Sequence, residues 1–217
     1  MFYYFGRKGR LAGKYPAPIY DCVIEPFAGS AAYSLYWKPE HALLMERDAR
    51  VVRLWHRLID QGVAGLRAAA PPTLGERTND LWYLTAMASK DSLSVREYKV
   101  SNWAIESWEL ARKLAIRNHE VASRFDYAEG DYRDLPDDEA TWFIDPPYQH
   151  IKRGYKFNRD TIDYDDLAEF CRSRKGQVIV CEQEGADWLP FRPLAVQQNV
   201  QSTGRSHEMI WTGERNE

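Results

Sequence analysis

Four times along the chain a short apolar run ends abruptly in an acidic residue. Cys22-Val23-Ile24 runs into Glu25-Pro26, Ala42-Leu43-Leu44-Met45 into Glu46, Thr141-Trp142-Phe143-Ile144 into Asp145-Pro146, and Gln177-Val178-Ile179-Val180-Cys181 into Glu182. Runs this short and this apolar are buried on both faces, and stretches with helical patterning separate them. Ala31–Trp37 and a longer stretch from about Ala49 to Ala70 are the first of these. Strands alternating with helices predict an α/β fold with a largely parallel sheet that binds ligands at the carboxyl ends of its strands.

Two regions depart from the alternation. Leu194–Gln201 and His207–Thr212 read as two strands joined by a turn at Ser202-Thr203-Gly204-Arg205, an antiparallel hairpin closing the sheet. A Rossmann-like sheet that ends this way is consistent with the class I methyltransferase architecture. In the middle, Pro71-Pro72 ends the second helix, and residues 72–123 are rich in tryptophan, charge and helix formers. They read as a helical insertion dividing a main domain of residues 1–71 and 124–217. On the helix expected over Ser101–Ser123, Trp103, Trp108, Ala111, Leu114, Ala115 and Ala122 form an apolar stripe.

Asp145-Pro146-Pro147-Tyr148 leaves its strand directly. Consecutive prolines hold an extended or turn backbone, and a rigid strand-exit loop is one reading. The other is chemical. The exocyclic amine of a planar base is a poor nucleophile because its lone pair is delocalised into the ring. Two acceptors that take both amine hydrogens draw the nitrogen towards tetrahedral geometry, and the Asp145 carboxylate with the Pro146 carbonyl form such a pair. The carboxylate also opposes the positive charge that builds on nitrogen. Tyr148 offers a ring on which a base flipped out of a duplex could stack.

Ile24-Glu25-Pro26-Phe27-Ala28-Gly29-Ser30-Ala31 joins a strand to a helix through small residues, as close backbone approach to a ligand requires. With Gly29 alone it is not the three-glycine dinucleotide fingerprint. Glu46, at the end of the next strand, stands where an acid accepts hydrogen bonds from ribose hydroxyls. Asp131, after a third possible strand, either accepts from an adenine amine or is a plain turn residue.

Together these segments resemble the Dam-like DNA adenine-N6 methyltransferases, particularly their small phage-type members, over nearly the whole chain. Tyr4-Phe5-Gly6-Arg7-Lys8 is similar to the family's N-terminal cofactor motif, with Arg7 in place of a second glycine. Glu25-Pro26-Phe27-Ala28-Gly29 resembles the main cofactor loop. Glu46-Arg47-Asp48 stands where the family often has Asp-x-Asn. Phe143-Ile144-Asp145-Pro146-Pro147-Tyr148 resembles the catalytic motif, and the order of the segments is the family's alpha arrangement. The resemblance implies S-adenosyl-L-methionine as cofactor, held through Tyr4, Gly6, Lys8, Glu25, Pro26, Phe27, Gly29, Glu46, Asp131 and Asp145. It also implies double-stranded DNA as partner, with the insertion recognising the target. The insertion lacks the Phe-Asn-Gly…Arg-x-Asn pattern of better-known members, so their GATC target does not carry over. An orphan enzyme, a restriction-modification partner and a phage-protective enzyme all fit the resemblance.

Net charge is −3 over 217 residues, which does not advertise nucleic-acid binding, so phosphate contacts would come from local patches. Lys152, Arg153, Lys156 and Arg159 follow the catalytic tetrapeptide and form the leading candidate patch. Arg47, Arg50, Arg53 and Arg57 share one helical face, which also suits a solvated surface. Arg112, Lys113 and Arg117 in the insertion suit either DNA contact or an amphipathic helix. Asp163, Asp165 and Asp166 fit a helix N-terminus. Three scattered cysteines and five histidines without ligand spacing imply neither a disulfide framework nor a metal site. No run is long and apolar enough to cross a bilayer, and the aromatic N-terminus is no leader peptide, which makes a cytoplasmic protein the expectation. The rivals are methylation of RNA adenine or of cytosine N4, and a catalytically dead DNA-binding relative.

Overall fold

A computed structural model describes residues 8–75, 77–78, 98–151, 157, 159–198 and 205–213. In chain order, β1 (Cys22–Glu25), α1 (Ala32–Trp37), β2 (His41–Glu46), α2 (Ala49–Asp60) and α3 (Gly62–Ala68) come first. A small ladder of β3 (Arg77–Thr78) and β4 (Tyr98–Lys99) follows, then α4 (Asn102–Ala122), β5 (Asp126–Glu129) and β6 (Ala140–Ile144). The chain then forms α5 (Tyr164–Ser173), β7 (Gly176–Gln183), β8 (Arg192–Gln198) and β9 (Arg205–Thr212).

Seven strands form one sheet in the order β5-β2-β1-β6-β7-β9-β8. The first five run parallel, while β9 is antiparallel to both β7 and β8. This is the predicted parallel sheet closed by a hairpin, and it is the class I methyltransferase architecture. The hairpin's connection, residues 199–204, lies outside the described residues.

Successive residues of the buried central strands join opposite faces of the sheet, which divides the core in two. Val23, Leu44, Phe143, Ile179 and Cys181 pack with Leu54, Trp55, Trp108 and Ala115 on one face. Ile24, Met45, Trp142, Val178 and Val180 pack with Leu167, Ala168 and Cys171 on the other. Every second residue points to the opposite side of a sheet, so continuous apolar runs are what a sheet covered on both faces demands.

Two expectations need adjusting. The helix expected over residues 49–70 is two helices. Gln61 closes α2 and opens α3, and Gly62 sits at φ +61, a left-handed conformation that glycine adopts without steric cost. The helix in the middle segment is capped by Ser101, whose side chain accepts from the Ala104 N–H. Its buried stripe runs through Ala104, Trp108, Ala111, Ala115 and Ala122, whereas Leu114 is only half-buried and the Trp103 side chain lies outside the described set. Trp108, Ala111, Ala115 and Ala122 belong to the same core as the sheet, so one face of α4 packs against the main domain. Among the described residues no helix is long and apolar enough to cross a membrane.

Candidate active site

Strand order reverses between β1 and β6: from β1 the sheet grows through β2 to β5, and from β6 through β7. Loops leaving the two strands diverge there and open a crevice, the usual ligand site of such sheets. A cleft lies at this point, bounded by Glu25 to Ser30, Glu46 to Asp48, Gly130 to Tyr132, Asp145, Pro147 and Lys8. The two segments on which the sequence reading rests therefore share one cavity.

The loop after β1 is held tightly. Glu25 is 3% exposed, and its carboxylate accepts from the Ser34 backbone N–H at 2.9 Å and from the Ser34 hydroxyl. Burial pushes it up to about 7 against the pull of those two bonds. It lines the cleft, but it fastens the end of β1 to α1. Gly29 lies at φ +47 and Ala31 at φ +48. A left-handed alanine costs on the order of 1 kcal/mol, so the loop must be braced. The brace is visible: the Gly29 N–H donates to Glu46 Oε2 at 3.1 Å, and the Gly29 carbonyl accepts from the Trp55 indole at 3.0 Å.

Glu46 is half-buried at the end of β2, where its Oε1 also accepts from the Asp48 N–H at 3.1 Å. Burial raises its carboxyl, opposed by these backbone bonds. A carboxylate has about four acceptor positions, so acceptor capacity remains for ligand hydroxyls. Asp131 caps the short helix Tyr132–Asp134, accepts from the Arg133 N–H and pairs with Arg133 at 3.0 Å and Arg47 at 3.7 Å. It is a turn aspartate that also lines the cleft. Pro26 and Phe27 line the cleft as well, with the Phe27 ring 5.5 Å from that of Tyr132. Tyr4 and Gly6 lie outside the described residues.

Asp145 faces a buried lysine. Lys8 Nζ is 2.8 Å from Asp145 Oδ1 and 3.8 Å from Glu208 Oε1, with Lys8 and Glu208 nearly inaccessible. Burial drives the Asp145 carboxyl up to about 6; Lys8 opposes the rise and Glu208 adds to it. Pro146 and Pro147 are buried, and the Pro147 carbonyl accepts from the Tyr164 hydroxyl. Tyr148 does not line the cleft: its hydroxyl donates to Glu208 and its ring carries the Lys8 ammonium 4.6 Å from its centroid. Glu182 then holds the loop that follows, accepting from the Gln149 N–H at 3.1 Å and the Trp188 indole at 2.9 Å.

Glu208 was missed in the sequence, and Glu182 was read only as the acid that ends its strand. Glu208 shares its inward register with buried Ile210, and Glu182 shares that of Val178 and Val180. An acid in the apolar register of a central strand is the signal that could have found both.

The candidate DNA contacts fare unevenly. Lys152, Arg153 and Lys156 lie outside the described residues. Arg159 turns inward, donating to the Gln149 carbonyl at 2.9 Å and pairing with Asp160 at 3.4 Å. Arg112 reaches the Leu66 and Arg67 carbonyls at the end of α3 and pairs with Glu109 at 2.8 Å, a helix-terminus contact. The expected arginine face is broken, because Arg50 is bound to Asp48 and Arg47 reaches Phe157 and the Thr161 carbonyl.

No family model and no curated protein sequence matches the chain. Solved structures resemble it distantly. A conserved hypothetical protein of Streptococcus pyogenes is 11% identical, with 96% of this chain and 95% of that one covered at a TM-score of 0.44. The rRNA methyltransferase aviRa from Streptomyces viridochromogenes is 16% identical, with 94% and 80% covered at a TM-score of 0.41. Likenesses of this size leave the chemistry to the residues of the cleft.

Proposed function

We propose that the chain is an S-adenosylmethionine-dependent methyltransferase acting on the N6 amine of adenine in double-stranded DNA. The observation that carries this reading is the meeting of the Glu25–Gly29 loop with Asp145 and Pro147 of the β6 exit in one cleft at the reversal of strand order.

The residues present suit that cofactor. Of the acids lining the cleft, Asp48 pairs with Arg50, Asp131 with Arg133 and Arg47, and Asp145 with Lys8, whereas Glu46 is held by backbone N–H groups and keeps its charge for a ligand. Glu46 would take the ribose hydroxyls, and Phe27 gives an apolar wall for a purine. When bound, S-adenosylmethionine supplies an electrophilic methyl group whose carbon–sulfur bond breaks with its electron pair passing to sulfur. Asp145 does the rest of the polar work. With a carboxyl at about 6 it is mostly ionised at neutral pH, accepts a hydrogen bond from the amine, opposes the positive charge developing on nitrogen and receives the proton that nitrogen sheds. The Pro146 carbonyl is the second acceptor in this reading. Lys152, Arg153 and Lys156 would grip phosphates, and residues 72–123 would read the target; with Arg112 and Arg159 committed to backbone carbonyls, the other basic residues must carry those contacts.

The test is incubation with duplex DNA and the methyl donor, followed by mass spectrometry of the nucleosides. N6-methyladenine is the expected product. N4-methylcytosine, or methylation confined to RNA, overturns the substrate, and no methylated base at all overturns the activity.

A further inference from the structure

Around Asp145 the charges do not simply pair off. Two carboxylates, Asp145 and Glu208, flank one ammonium, that of Lys8, at 2.8 and 3.8 Å. Glu208 also accepts from the hydroxyls of Tyr15 and Tyr148, which ties it to two aromatic anchors. Tyr15 stands edge-on to Phe143 at 5.1 Å between ring centroids, so this acceptor is fixed by the core. Two hydroxyl bonds leave a carboxylate with acceptor capacity to spare.

An ammonium in contact with Asp145 is the wrong neighbour for the chemistry assigned to it. It neutralises the carboxylate that must face a developing positive charge, and in a water-poor cleft that repulsion is strong. Lys8 is 6% exposed, so withdrawal into solvent would require leaving its pocket, whereas Glu208 is already within an ångström of ion-pair contact.

We propose that Glu208 is a positioning residue that receives the Lys8 ammonium when a substrate amine takes its place on Asp145. The inference deepens the methyltransferase reading and rests on it. In the empty site Lys8 shields Asp145, keeping a buried carboxylate from standing alone. As the amine arrives, Lys8 shifts to Glu208 and stays over the Tyr148 ring, and Asp145 regains its full charge towards nitrogen. No covalent bond changes in this shift, and the total charge of the cluster is constant.

The test is a double-mutant cycle between Lys8→Met and Glu208→Gln, with transfer to duplex DNA and calorimetric cofactor binding read for each variant. Glutamine retains an oxygen for the two tyrosine hydroxyls but cannot balance an ammonium. E208Q is expected to lower kcat on the order of 10-fold or more while cofactor affinity stays within about 2-fold, because Lys8 remains on Asp145. In the Lys8→Met background the same substitution should cost nothing further. An equal loss in both backgrounds overturns the inference and makes Glu208 a structural anchor for the tyrosines. Should E208Q lose its cooperative melting transition, the cycle is run with Glu208→Asp, whose loss must likewise vanish without Lys8. Absence of transfer by the unsubstituted protein overturns the functional reading itself, which separates that failure from this one.

Discussion

Acidic residues end four neighbouring strands of the sheet, yet they fall into two kinds. Glu25, Glu46 and Glu182 each accept hydrogen bonds from backbone N–H groups: those of Ser34, of Gly29 and Asp48, and of Gln149 and Gln183. Asp145 instead meets a buried side-chain cation, Lys8. Burial raises all four carboxyls; the strongest opposing influence is a hydrogen bond at Glu25, Glu46 and Glu182 but the Lys8 charge at Asp145. Backbone donors fix a loop and cannot leave. A lysine side chain can move aside, so position at a strand end is shared while partner chemistry separates scaffold from reactive group.

Substituting Asp145 tests this division most severely. Asp145→Ala should reduce methyl transfer by roughly 1,000-fold or more, since it removes both the acceptor and the charge facing nitrogen. The fold should survive, because Glu208 remains 3.8 Å from Lys8 to neutralise it. Residual transfer near the normal rate, measured with radiolabelled methyl donor, would dissolve the distinction between Asp145 and the other three.

The acid-terminated apolar runs were legible because burial on both faces leaves no room for polar residues until the strand ends. Thus β1, β2, β6 and β7 could be placed to within a few residues, and with them the cleft. What eluded the sequence depends on long-range pairing. Lys8 meets Asp145 only because the segment before the sheet crosses to the β6 exit, and Glu208 joins them from the last strand. The break at Gly62 was hidden because helical periodicity continues on both sides, through Leu58 and Leu66, which are both buried. Arg112 and Arg159 looked like phosphate ligands because a sequence shows charge but not the carbonyls that a guanidinium will find.

Glu46 gives the next largest effect. Glu46→Ala strips the Gly29 N–H and the Asp48 N–H of their acceptor and removes the expected ribose partner. Hydrogen bonds to charged groups are worth about 1.5–3 kcal/mol each, so cofactor affinity measured by calorimetry should fall 10-fold to 100-fold on that scale. Turnover at saturating cofactor should change far less. A kcat loss as large as that of Asp145→Ala would place Glu46 among the reactive groups.

Glu25 should show the smallest effect, and only in stability. Its carboxyl stands at about 7 in the folded chain against 4.5 for the free side chain, so between those values the folded state holds a proton that the unfolded state has released. The stability from this group is complete below pH 4.5 and is lost as pH rises through about 7. Glu25→Gln keeps an oxygen for both Ser34 donors and has no proton to lose, so its melting temperature should fall less steeply over that window than that of the unsubstituted chain. The difference should amount to several degrees, given roughly 2–4 °C per kcal/mol for a chain of this size. Glu46 and Glu182, raised by the same burial, should leave part of the slope in place. If both chains melt with the same pH dependence, Glu25 is ionised in its pocket like any exposed carboxylate, and the Ser34 bonds, not burial, govern the end of β1.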